Sequence, residues 1–368
     1  MNAQLLTHSR QQAFKVCRKQ HWFGYELGIR RDLDGKALRM GSAYHDGLEA
    51  LAKTGELSEA CYAARKPYEA MPENFDALEW EYERETVERM ICGYEWRWSN
   101  APLEHIATEQ TFQLPLVNPE TGKASPLWKL AGKIDGIVRL EDGRLAVIEH
   151  KLFGDDISPD SDLWRRMRID HQVSLYVYAA RQLGYEVATV LYNVARKPTI
   201  KPCPVPVLDE LGVKIVLDAN GNRVRTKDNA KWRTTADTAL GYVVQTEPMS
   251  PAEWGDKLSA DIVERPEFYF SRVEVPRLDS DLAEYQQELW EIAQTMREAQ
   301  RNDRWYRTAH KNTCDFCSYF PLCTTGNFDP NGTLPEGYVR VYDLHPELGG
   351  MTNDNHHTEE TTTATAVP

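Results

Sequence analysis

The stretch Ala131–Asp156, AGKIDGIVRLEDGRLAVIEHKLFGDD, predicts a β-hairpin. Two runs of β-branched or alternating residues, 128–140 and 144–152, flank the pair Asp142-Gly143, which is typical of a tight turn. A third run of this kind covers 106–116 and is followed by further turn residues. These patterns place at least two strands side by side in one small sheet.

The second strand of the hairpin carries an acidic and a basic residue two positions apart. Side chains two apart on a strand point to the same face, so Glu149 and Lys151 project together while His150 points away. The turn brings the first strand alongside, which places Asp135 near Glu149. The hairpin therefore predicts two carboxylates and a lysine that converge on one face.

The rest of the sequence surrounds this sheet with helices. The spacing of apolar residues predicts one further strand, over 186–196, and helices over 1–30, Met40–Lys53, Asn74–Trp98, 163–183 and 278–301. Residues 198–240 read as an insertion, with four prolines and an Asn220-Gly221 pair that favours a hairpin. This order of elements predicts an α/β fold with a small mixed central sheet flanked by helices.

Composition limits the class of protein. At 368 residues and 41% hydrophobic content the chain has enough apolar residues for a core. No apolar run is long enough to span a membrane and the N-terminus lacks the apolar segment of a secretory signal, so we expect a cytoplasmic protein. The net charge of −13 argues mildly against a nucleic-acid partner, but much of the acid lies in Glu69–Glu95 and after Asp329. The absence of Walker-type and G-x-G-x-x-G loops argues against a nucleotide cofactor.

Two carboxylates beside a lysine suit metal-assisted hydrolysis of a phosphodiester. Mg²⁺ and Mn²⁺ prefer carboxylate oxygens, and a lysine at position 151 can orient water and stabilise negative charge. The alternative is a surface salt bridge next to an unrelated turn aspartate. Taken alone, the D…E-x-K pattern favours that alternative, because it occurs often by chance.

Two flanking motifs favour the metal site. Upstream, Gly41–His45 (GSAYH) begins a predicted helix and offers a histidine ligand, and downstream Gln172 and Tyr176 stand four apart on one helix face. Each of these features alone is more often structural. Their order, G-x-x-x-H, D, E-x-K and Q-x-x-x-Y, resembles that of the RecB-like nucleases of the PD-(D/E)xK superfamily.

The resemblance implies a restriction-endonuclease-like core that cleaves DNA with a bound Mg²⁺ or Mn²⁺. The metal ligands it implies are His45, Asp135, Glu149 and the backbone carbonyl of His150. The catalytic set it implies is Asp135, Glu149, Lys151, Gln172 and Tyr176. In that set Lys151 would position or activate water, while Gln172 and Tyr176 would shape the site and hold the DNA backbone. Glu109, at the start of the first strand, is a candidate accessory acid.

Three of the seven cysteines are clustered near the C-terminus with the spacing C-x2-C-x5-C: Cys314, Cys317 and Cys323. Thiolates this close favour a metal site over core packing, and they need a fourth ligand. Cys17 is the candidate for that ligand. The other cysteines are interpreted as ordinary buried thiols: Cys61, Cys92 and Cys203. The spacing alone leaves both zinc and iron–sulfur open.

A distant N-terminal cysteine plus C-x2-C-x5-C, enclosing the nuclease motifs, is similar to the iron–sulfur branch of this family. That branch includes CRISPR-associated adaptation exonucleases, the AddB subunit of bacterial recombination complexes and related phage nucleases. The resemblance implies a [4Fe-4S] cluster that joins the N- and C-terminal helical segments. Because such a cluster would close a loop of about 300 residues, worth roughly 5 kcal/mol of unfolded-chain entropy, we expect a structural clasp and not an electron carrier.

We therefore expect a metal-dependent DNA nuclease, specifically an exonuclease on single strands or ends in replication, recombination or repair, with phage DNA metabolism as one setting. A helicase or recombinase is the expected kind of protein partner. One alternative is a catalytically silent DNA-binding or assembly module of the same fold, although the intact D…E-x-K motif counts against it. The other is a redox iron–sulfur protein, which leaves the ordered nuclease motifs unexplained.

Two further expectations concern the DNA path and the domain limits. Arg165, Arg166 and Arg168 precede the Gln172–Tyr176 helix and are predicted to contact phosphates. Residues 1–345 are predicted to form one nuclease domain that includes the 198–240 insertion. The polar, threonine-rich segment 346–368 is predicted to be a disordered tail.

Overall fold

The computed structural model describes residues 3–73, 75–228, 230–326 and 328–349. The strands are β1 (Gln4–Leu6), β2 (Ile29–Arg31), β3 (Glu104–Val117), β4 (Ala124–Arg139), β5 (Leu145–Phe153), β6 (Val187–Arg196), β7 (Val205–Pro206), β8 (Val216–Leu217), β9 (Val243–Val244), β10 (Thr246–Glu247), β11 (Phe270–Pro276) and β12 (Tyr338–Arg340).

The helices are α1 (His8–Val16), α2 (Arg18–His21), α3 (Lys36–Thr54), α4 (Leu57–Arg65), α5 (Ala77–Trp98), α6 (Asp162–Met167), α7 (His171–Gln182), α8 (Pro251–Glu264), α9 (Pro266–Tyr269), α10 (Asp279–Asn302), α11 (Lys311–Cys314) and α12 (Phe320–Thr324). Within the described ranges, none of them combines the length and the apolar character that crossing a membrane requires.

Six of the strands form one mixed sheet in the order β1-β4-β5-β6-β11, with β3 paired to β4 on its other edge. The pairs β1–β4 and β5–β6 are parallel, whereas β3–β4, β4–β5 and β6–β11 are antiparallel. The predicted α/β fold with a mixed central sheet flanked by helices is therefore confirmed, and the Asp142-Gly143 turn joins β4 to β5 as expected.

The central strand β4 changes partner along one edge. Residues 128–130 pair with β1, and Gly136–Arg139 pair with β5. Residues 131–135 lie between these two pairings, so β4 and β5 diverge after the pair Gly136–Ile148. The divergence opens the edge of the sheet at Asp135.

Helices cover both faces of the sheet. On one face, Val147 and Tyr192 pack in a large apolar cluster with residues of α7 and α10, including Val173 and Leu289. On the other side, α3, α4, α5 and α8 form a second cluster that reaches the sheet at Phe270. The face of Glu149 and Lys151 is thus covered by α7, and the opposite face by the α3–α5 group.

The predicted single helix over residues 1–30 is wrong. Thr7 caps α1 by accepting a hydrogen bond from Arg10 N, so the residues before it are free to form β1. Cys17 then adopts an extended conformation (φ −161°, ψ 118°) that interrupts the helix. Gly28, at φ +64°, ends the helical region before β2; a Cβ there would lie 2.4 Å from the carbonyl oxygen of Val341.

Other predicted boundaries also change. The helix predicted at 163–183 is two helices, because Asp170 caps α7 and restarts the helix. The small strands of the insertion continue to residue 247, beyond the predicted limit of 240. The sequence prediction missed α8, α9 and β11, although Ser250 and Glu253 form a capping box at the start of α8.

The ordered fold extends beyond the predicted start of the C-terminal tail. Residues 346–348 form a 3₁₀ turn, and Leu348 is buried against Leu5 and Ala131. The fold therefore continues to residue 349, contrary to the prediction that the tail begins at 346. Residues 350–368 of the predicted tail lie outside the described residues.

Two glycines of α3 give a matched test of the packing between α3, α4 and α5. A Cβ on Gly47 would lie 2.8 Å from Ile91 Cδ1 and 3.1 Å from Ala64 Cβ, whereas a Cβ on Gly41 would meet nothing within 4 Å. Gly47→Ala should lower the free energy of unfolding by about 1–3 kcal/mol through overpacking. Gly41→Ala should raise it by about 0.5–1 kcal/mol, because alanine has the higher helix propensity. Urea denaturation measures both, and shifts of the same sign would contradict this packing.

Candidate functional site

The two strand residues Glu149 and Lys151 point to the same face of β5, towards α7. Lys151 Nζ lies 2.5 Å from Glu149 Oε1 and donates a hydrogen bond of 2.5 Å to Gln172 Oε1. Gln172 Nε2 in turn donates to Tyr176 OH at 3.1 Å. The four residues therefore form one continuous chain of polar contacts from the strand to the helix.

The start of α7 fixes the position of Gln172. The carboxylate of Asp170 caps the helix and accepts a hydrogen bond from Gln172 N at 2.9 Å. Asp170 is itself held by Tyr192 OH, at 3.3 Å. Because Gln172 and Tyr176 are four residues apart, both face β5 from the first turns of this helix.

Asp135 reaches the site through the gap between β4 and β5. Its Oδ2 accepts a hydrogen bond of 2.9 Å from the backbone N–H of His150, beyond the last β4–β5 pair. His45, on α3, approaches from the other side, with Nδ1 3.6 Å from Asp135 Oδ2. The structure thus brings together the G-x-x-x-H histidine, the aspartate and the E-x-K strand.

The side chain of His150 lies on the opposite face of β5, as the strand alternation predicts. Its Nδ1 is 2.8 Å from Asn193 Nδ2, and this amide is also within 2.8 Å of Tyr94 OH. Arg272 donates to Asn193 Oδ1 at 3.3 Å and to Tyr94 OH at 3.1 Å. Sequence reasoning missed this buried network behind the site, because Tyr94, Asn193 and Arg272 belong to three separate elements.

Burial dominates the electrostatics of the two carboxylates. It raises the pKa of Asp135 to about 7, although the His150 N–H and the charge of Lys151 oppose the shift. It raises the pKa of Glu149 to about 8, again against the attraction of Lys151, and the neighbouring Asp135 raises it further. Without a cation, the two carboxylates therefore retain protons close to neutral pH.

Lys151 and His45 have complementary protonation states. Burial lowers the pKa of Lys151, but the charge of Glu149 and the close contact with its carboxylate outweigh burial, so that the pKa is raised overall. Lys151 is therefore an ammonium at neutral pH. Burial lowers the pKa of His45 in spite of the nearby Glu149, which keeps the imidazole neutral and able to bind a metal.

Glu109 lies beside this group at an irregularity in β3. It has φ +50°, an unusual value for a residue other than glycine, and it is omitted from the β3–β4 pairing between Thr108 and Gln110. Its carboxylate forms an ion pair with Lys133, which also lies 3.8 Å from Glu49. Sequence reasoning named Glu109 as an accessory acid but missed Lys133, which precedes Asp135 by two residues.

Comparison with known proteins identifies the family. A family model described as the PD-(D/E)XK nuclease superfamily matches residues 5–324. The chain belongs to this superfamily. No curated protein matches it. A solved structure described as "Crystal structure of SSO0001" has 12% sequence identity over 62% of this chain and 74% of that chain, and its TM-score of 0.19 is too low to support a structural argument.

Nucleases of this superfamily typically use Mg²⁺ or Mn²⁺, and the donor chemistry of the site fits such a cation. Glu149 is fully buried, and neither of its oxygens accepts a well-formed hydrogen bond from a described residue. Asp135 and the neutral imidazole of His45 lie beside it. Within the described ranges, no three His, Cys, Asp or Glu side chains already converge on a single metal position. Ligation by Asp135, Glu149, His45 and the His150 carbonyl therefore stays a prediction.

The four cysteines proposed as a cluster border one small cavity. Cys17, Cys314, Cys317 and Cys323 line a volume of about 190 Å³ together with Phe23 and Phe320. Two sulfurs accept N–H hydrogen bonds, Cys17 from Thr308 N at 3.3 Å and Cys323 from Arg307 Nε at 3.0 Å. N–H donors of this kind stabilise ligated thiolates. The four thiols line one cavity, but within the described ranges they do not converge on a single metal position, so the cluster stays a prediction.

The remaining three cysteines differ in their burial and in their contacts. Cys61 on α4 and Cys92 on α5 lie with their sulfurs 3.7 Å apart, and Cys203 is exposed, with its sulfur 3.2 Å from Lys257 Nζ. The prediction of an ordinary buried thiol is confirmed for Cys61 and wrong for Cys92, which is partly exposed, and for exposed Cys203. Cys61 and Cys92 are separated by 31 positions, and the sequence gave no signal of their proximity.

The arginines proposed as DNA contacts lie on the exposed side of α6 and at its end. Arg165 is 3.2 Å from Asp162, and Arg166 is 2.6 Å from Asp155. Arg168 is exposed. Because two of the three charges already have acidic partners, their role in phosphate binding stays a prediction.

The raised pKa values predict that metal binding at this site depends on pH. Asp135 and Glu149 hold protons below pH values of about 7 and 8, so a cation that binds their ionised forms must displace those protons. Mn²⁺ affinity should rise up to about tenfold per pH unit for each displaced proton between pH 6 and 8 and level off above about pH 8.5.

Isothermal titration calorimetry at several pH values measures this affinity. Asp142→Asn is the matched control, because the pKa of exposed Asp142 is lowered by its hydrogen bonds with Arg144 and the profile should not change. An Mn²⁺ affinity that is constant from pH 6 to 8 would contradict the buried, protonated state of the two carboxylates.

Proposed function

We propose that this protein hydrolyses DNA phosphodiester bonds with Mg²⁺ or Mn²⁺, as an exonuclease on single strands or ends in replication, recombination or repair. The observation that supports it best is the position of Lys151. Its ammonium is held between Glu149 and Gln172, and Asp135 and His45 meet beside this pair, at the gap between β4 and β5. This is the arrangement of charge that phosphodiester hydrolysis needs.

The proposed role of each site residue follows from its protonation state. Lys151, an ammonium at neutral pH, would hold the attacking water and stabilise the negative charge that develops on the phosphate oxygens. Gln172 is a positioning residue, because its amide oxygen fixes the direction of the lysine side chain and its NH₂ group is in turn held by Tyr176. Asp135 and Glu149, with His45 and the carbonyl of His150, would hold the cation.

A bound cation would supply the Lewis acid and lower the pKa of the water. Its arrival would ionise Asp135 and Glu149 and offset the cost of their burial. Glu149 would then share its charge between the cation and Lys151, so the lysine would be freer to contact water or phosphate. The contacts of Lys151 with Glu149 and Gln172 therefore keep the lysine in position until metal and substrate bind.

A catalytically silent DNA-binding module is the second candidate. The contact between Glu149 and Lys151, with Asp135 held nearby by the His150 N–H, argues against it, since a silent site has no need for a buried ammonium and two buried carboxylates. A redox iron–sulfur protein would leave the same three residues without a role. Turnover that depends on a divalent cation separates the nuclease from both.

Removing Lys151 tests the proposed chemistry. Lys151→Ala should lower the rate of cleavage of end-labelled single-stranded DNA by about 100-fold or more, because the charge that stabilises the transition state is lost. Mn²⁺ binding should persist in this variant, since the carboxylates remain. In contrast, Asp135→Ala and Glu149→Ala should lose both cleavage and Mn²⁺ affinity.

Lys129→Ala is the control, because Lys129 lies on β4 and is exposed. Its cleavage rate should equal that of the wild type, and circular dichroism should show that every variant is folded. Cleavage by Lys151→Ala at the wild-type rate under saturating Mn²⁺ would refute the assignment. Comparing the cleavage of a linear strand with that of a circular strand, which has no ends, tests separately whether the protein is an exonuclease.

We also propose that Cys17, Cys314, Cys317 and Cys323 bind a [4Fe-4S] cluster that clasps the two ends of the fold. The support is the cavity that all four border, with N–H donors directed at two of the sulfurs. Cys17 lies between α1 and α2, and the other three follow α10, so the clasp would join segments that are far apart in sequence. Its main effect would be stability of the N-terminal region that carries α1.

Anaerobically purified protein should contain about four iron atoms and four acid-labile sulfides per chain. Cys17→Ser should lose iron and lower the thermal midpoint, because one end of the clasp is released. Cys203→Ser is the matched control and should change neither, since Cys203 is exposed and belongs to the insertion. Stoichiometric zinc without iron in the wild-type protein would contradict the cluster.

A further inference from the structure

A groove runs beside the proposed catalytic site along the first forty residues. It has a volume of about 510 Å³ and is lined by α1, by β2 and by the start of α3. We call it the arginine groove and define it by six lining residues: His8, Gln12, Arg30, Arg31, Ser318 and Tyr319. None of the motifs that define the nuclease site belongs to it.

One wall of the groove is α1, which packs against α7, the helix of Gln172. His8, the first residue of α1, lines the groove, and Lys15 Nζ, further along α1, lies 3.3 Å from His171 Nδ1 at the start of α7. Ser318 and Tyr319, directly after Cys317, also line the groove. The groove therefore lies between the helix that carries Gln172 and the cysteine segment.

The two arginines of the groove contact backbone carbonyls and aromatic rings. Arg30 donates to the carbonyls of Gly24, Ile29 and Leu344 and lies 5.0 Å from the centre of the Tyr25 ring. Arg31 is exposed and stacks 4.8 Å from the centre of the Tyr338 ring.

Within the part of the chain that the structure describes, no carboxylate forms an ion pair with either guanidinium. By contrast, Arg10, Arg39, Arg165 and Arg166 all pair with acids. The carboxylate that does line the groove, Asp34, is exposed at its rim. Arg30 acts electrostatically on Glu347, so exposed Arg31 is the positive charge of the groove that is open to an anion.

The floor of the groove is rigid. β2 pairs with β12, and Tyr319 OH donates a hydrogen bond of 2.8 Å to the carbonyl of Ile29. Gly24 packs closely here, because a Cβ on it would lie 3.0 Å from Tyr319 OH and 3.1 Å from Arg30 Nη1. The cysteine segment thus supports the strand that presents both arginines.

From this placement we propose that the arginine groove binds the sugar–phosphate backbone of single-stranded DNA and leads the strand past His8 to Lys151. The proposal rests on the proposed nuclease function and names the path of its substrate. A concave cavity of this volume has the size of a small-ligand pocket, so it suits one or two nucleotides of a single strand and not a double helix. Arg31 would contact a phosphate, and Gln12 would offer uncharged hydrogen bonds.

Fluorescence anisotropy of the full chain with a labelled single-stranded oligothymidylate, in buffer without divalent cations so that no cleavage occurs, tests the path. Arg31→Gln should weaken binding about tenfold, the loss expected of one charge-assisted hydrogen bond. The slope of log affinity against log salt should fall in magnitude by about 0.7. Arg31→Lys should recover most of the affinity and the slope, since it keeps the charge.

Arg139→Gln is the matched control, because Arg139 is a partly exposed arginine on β4 that pairs with Glu104; it should change neither quantity. The Arg31→Gln substitution should lower the affinity for a blunt duplex of equal length much less than the affinity for the single strand. Unchanged single-strand affinity and salt slope in Arg31→Gln would overturn the proposal, as would equal losses for single strand and duplex. The proposal would also be overturned if single-strand affinity fell in Arg165→Gln but not in Arg31→Gln, because the strand would then follow α6.

The outcomes separate this proposal from the nuclease function itself. If the wild type cleaves DNA and Arg31→Gln binds single strands normally, the proposed role of the groove is wrong and the nuclease function stands. If Arg31→Gln binds weakly but Lys151→Ala still cleaves at the wild-type rate, the groove stands and the catalytic assignment is wrong.

Discussion

The backbone N–H of His150 donates its hydrogen bond to the side chain of Asp135 and not to a neighbouring strand. This bond forms where β4 parts from β5, after the pair Gly136–Ile148. It closes the gap in the sheet, aims the aspartate at the E-x-K strand and leaves His45 Nδ1 within 3.6 Å of the same carboxylate. The geometry of the whole site depends on this hydrogen bond, in which a side chain takes the place of a neighbouring strand as the partner of the His150 N–H.

The gap also explains why the charges of the site are buried. Asp135 and Glu149 lie in the interior of the sheet, where ionisation is costly, so their pKa values are raised. Lys151 balances part of this cost and is itself held by Gln172. A site of this kind is poised for a divalent cation, because the cation would replace protons that the metal-free carboxylates hold close to neutral pH.

The sequence predicted the central part of the fold closely, because its signals are local. The limits of β4 and β5 follow from alternation and the Asp142-Gly143 turn, and the shared face of Glu149 and Lys151 follows from the two-residue period. The order of the motifs led to the superfamily that the family comparison shows.

The remaining features depend on contacts between distant segments. The pairing of β1 with the first half of β4 and the exposed position of the arginines of α6 leave no local signal. The N-terminal region was predicted as one helix because its apolar spacing outweighed the cap at Thr7 and the turn at Gly28. Similarly, the hydrogen bond from Lys151 to Gln172 follows from the packing of α7 on β5, which periodicity does not determine.

We propose that Asp135, Glu149 and the carbonyl of His150 hold one divalent cation beside Lys151. Anomalous diffraction at the manganese absorption edge, from crystals soaked in Mn²⁺, tests this ligand set. One manganese peak is expected within about 2.1–2.3 Å of an oxygen from each of these three residues, with His45 completing the site. A well-occupied manganese peak elsewhere, with Glu149 still paired to Lys151 and no peak beside Asp135, would contradict it.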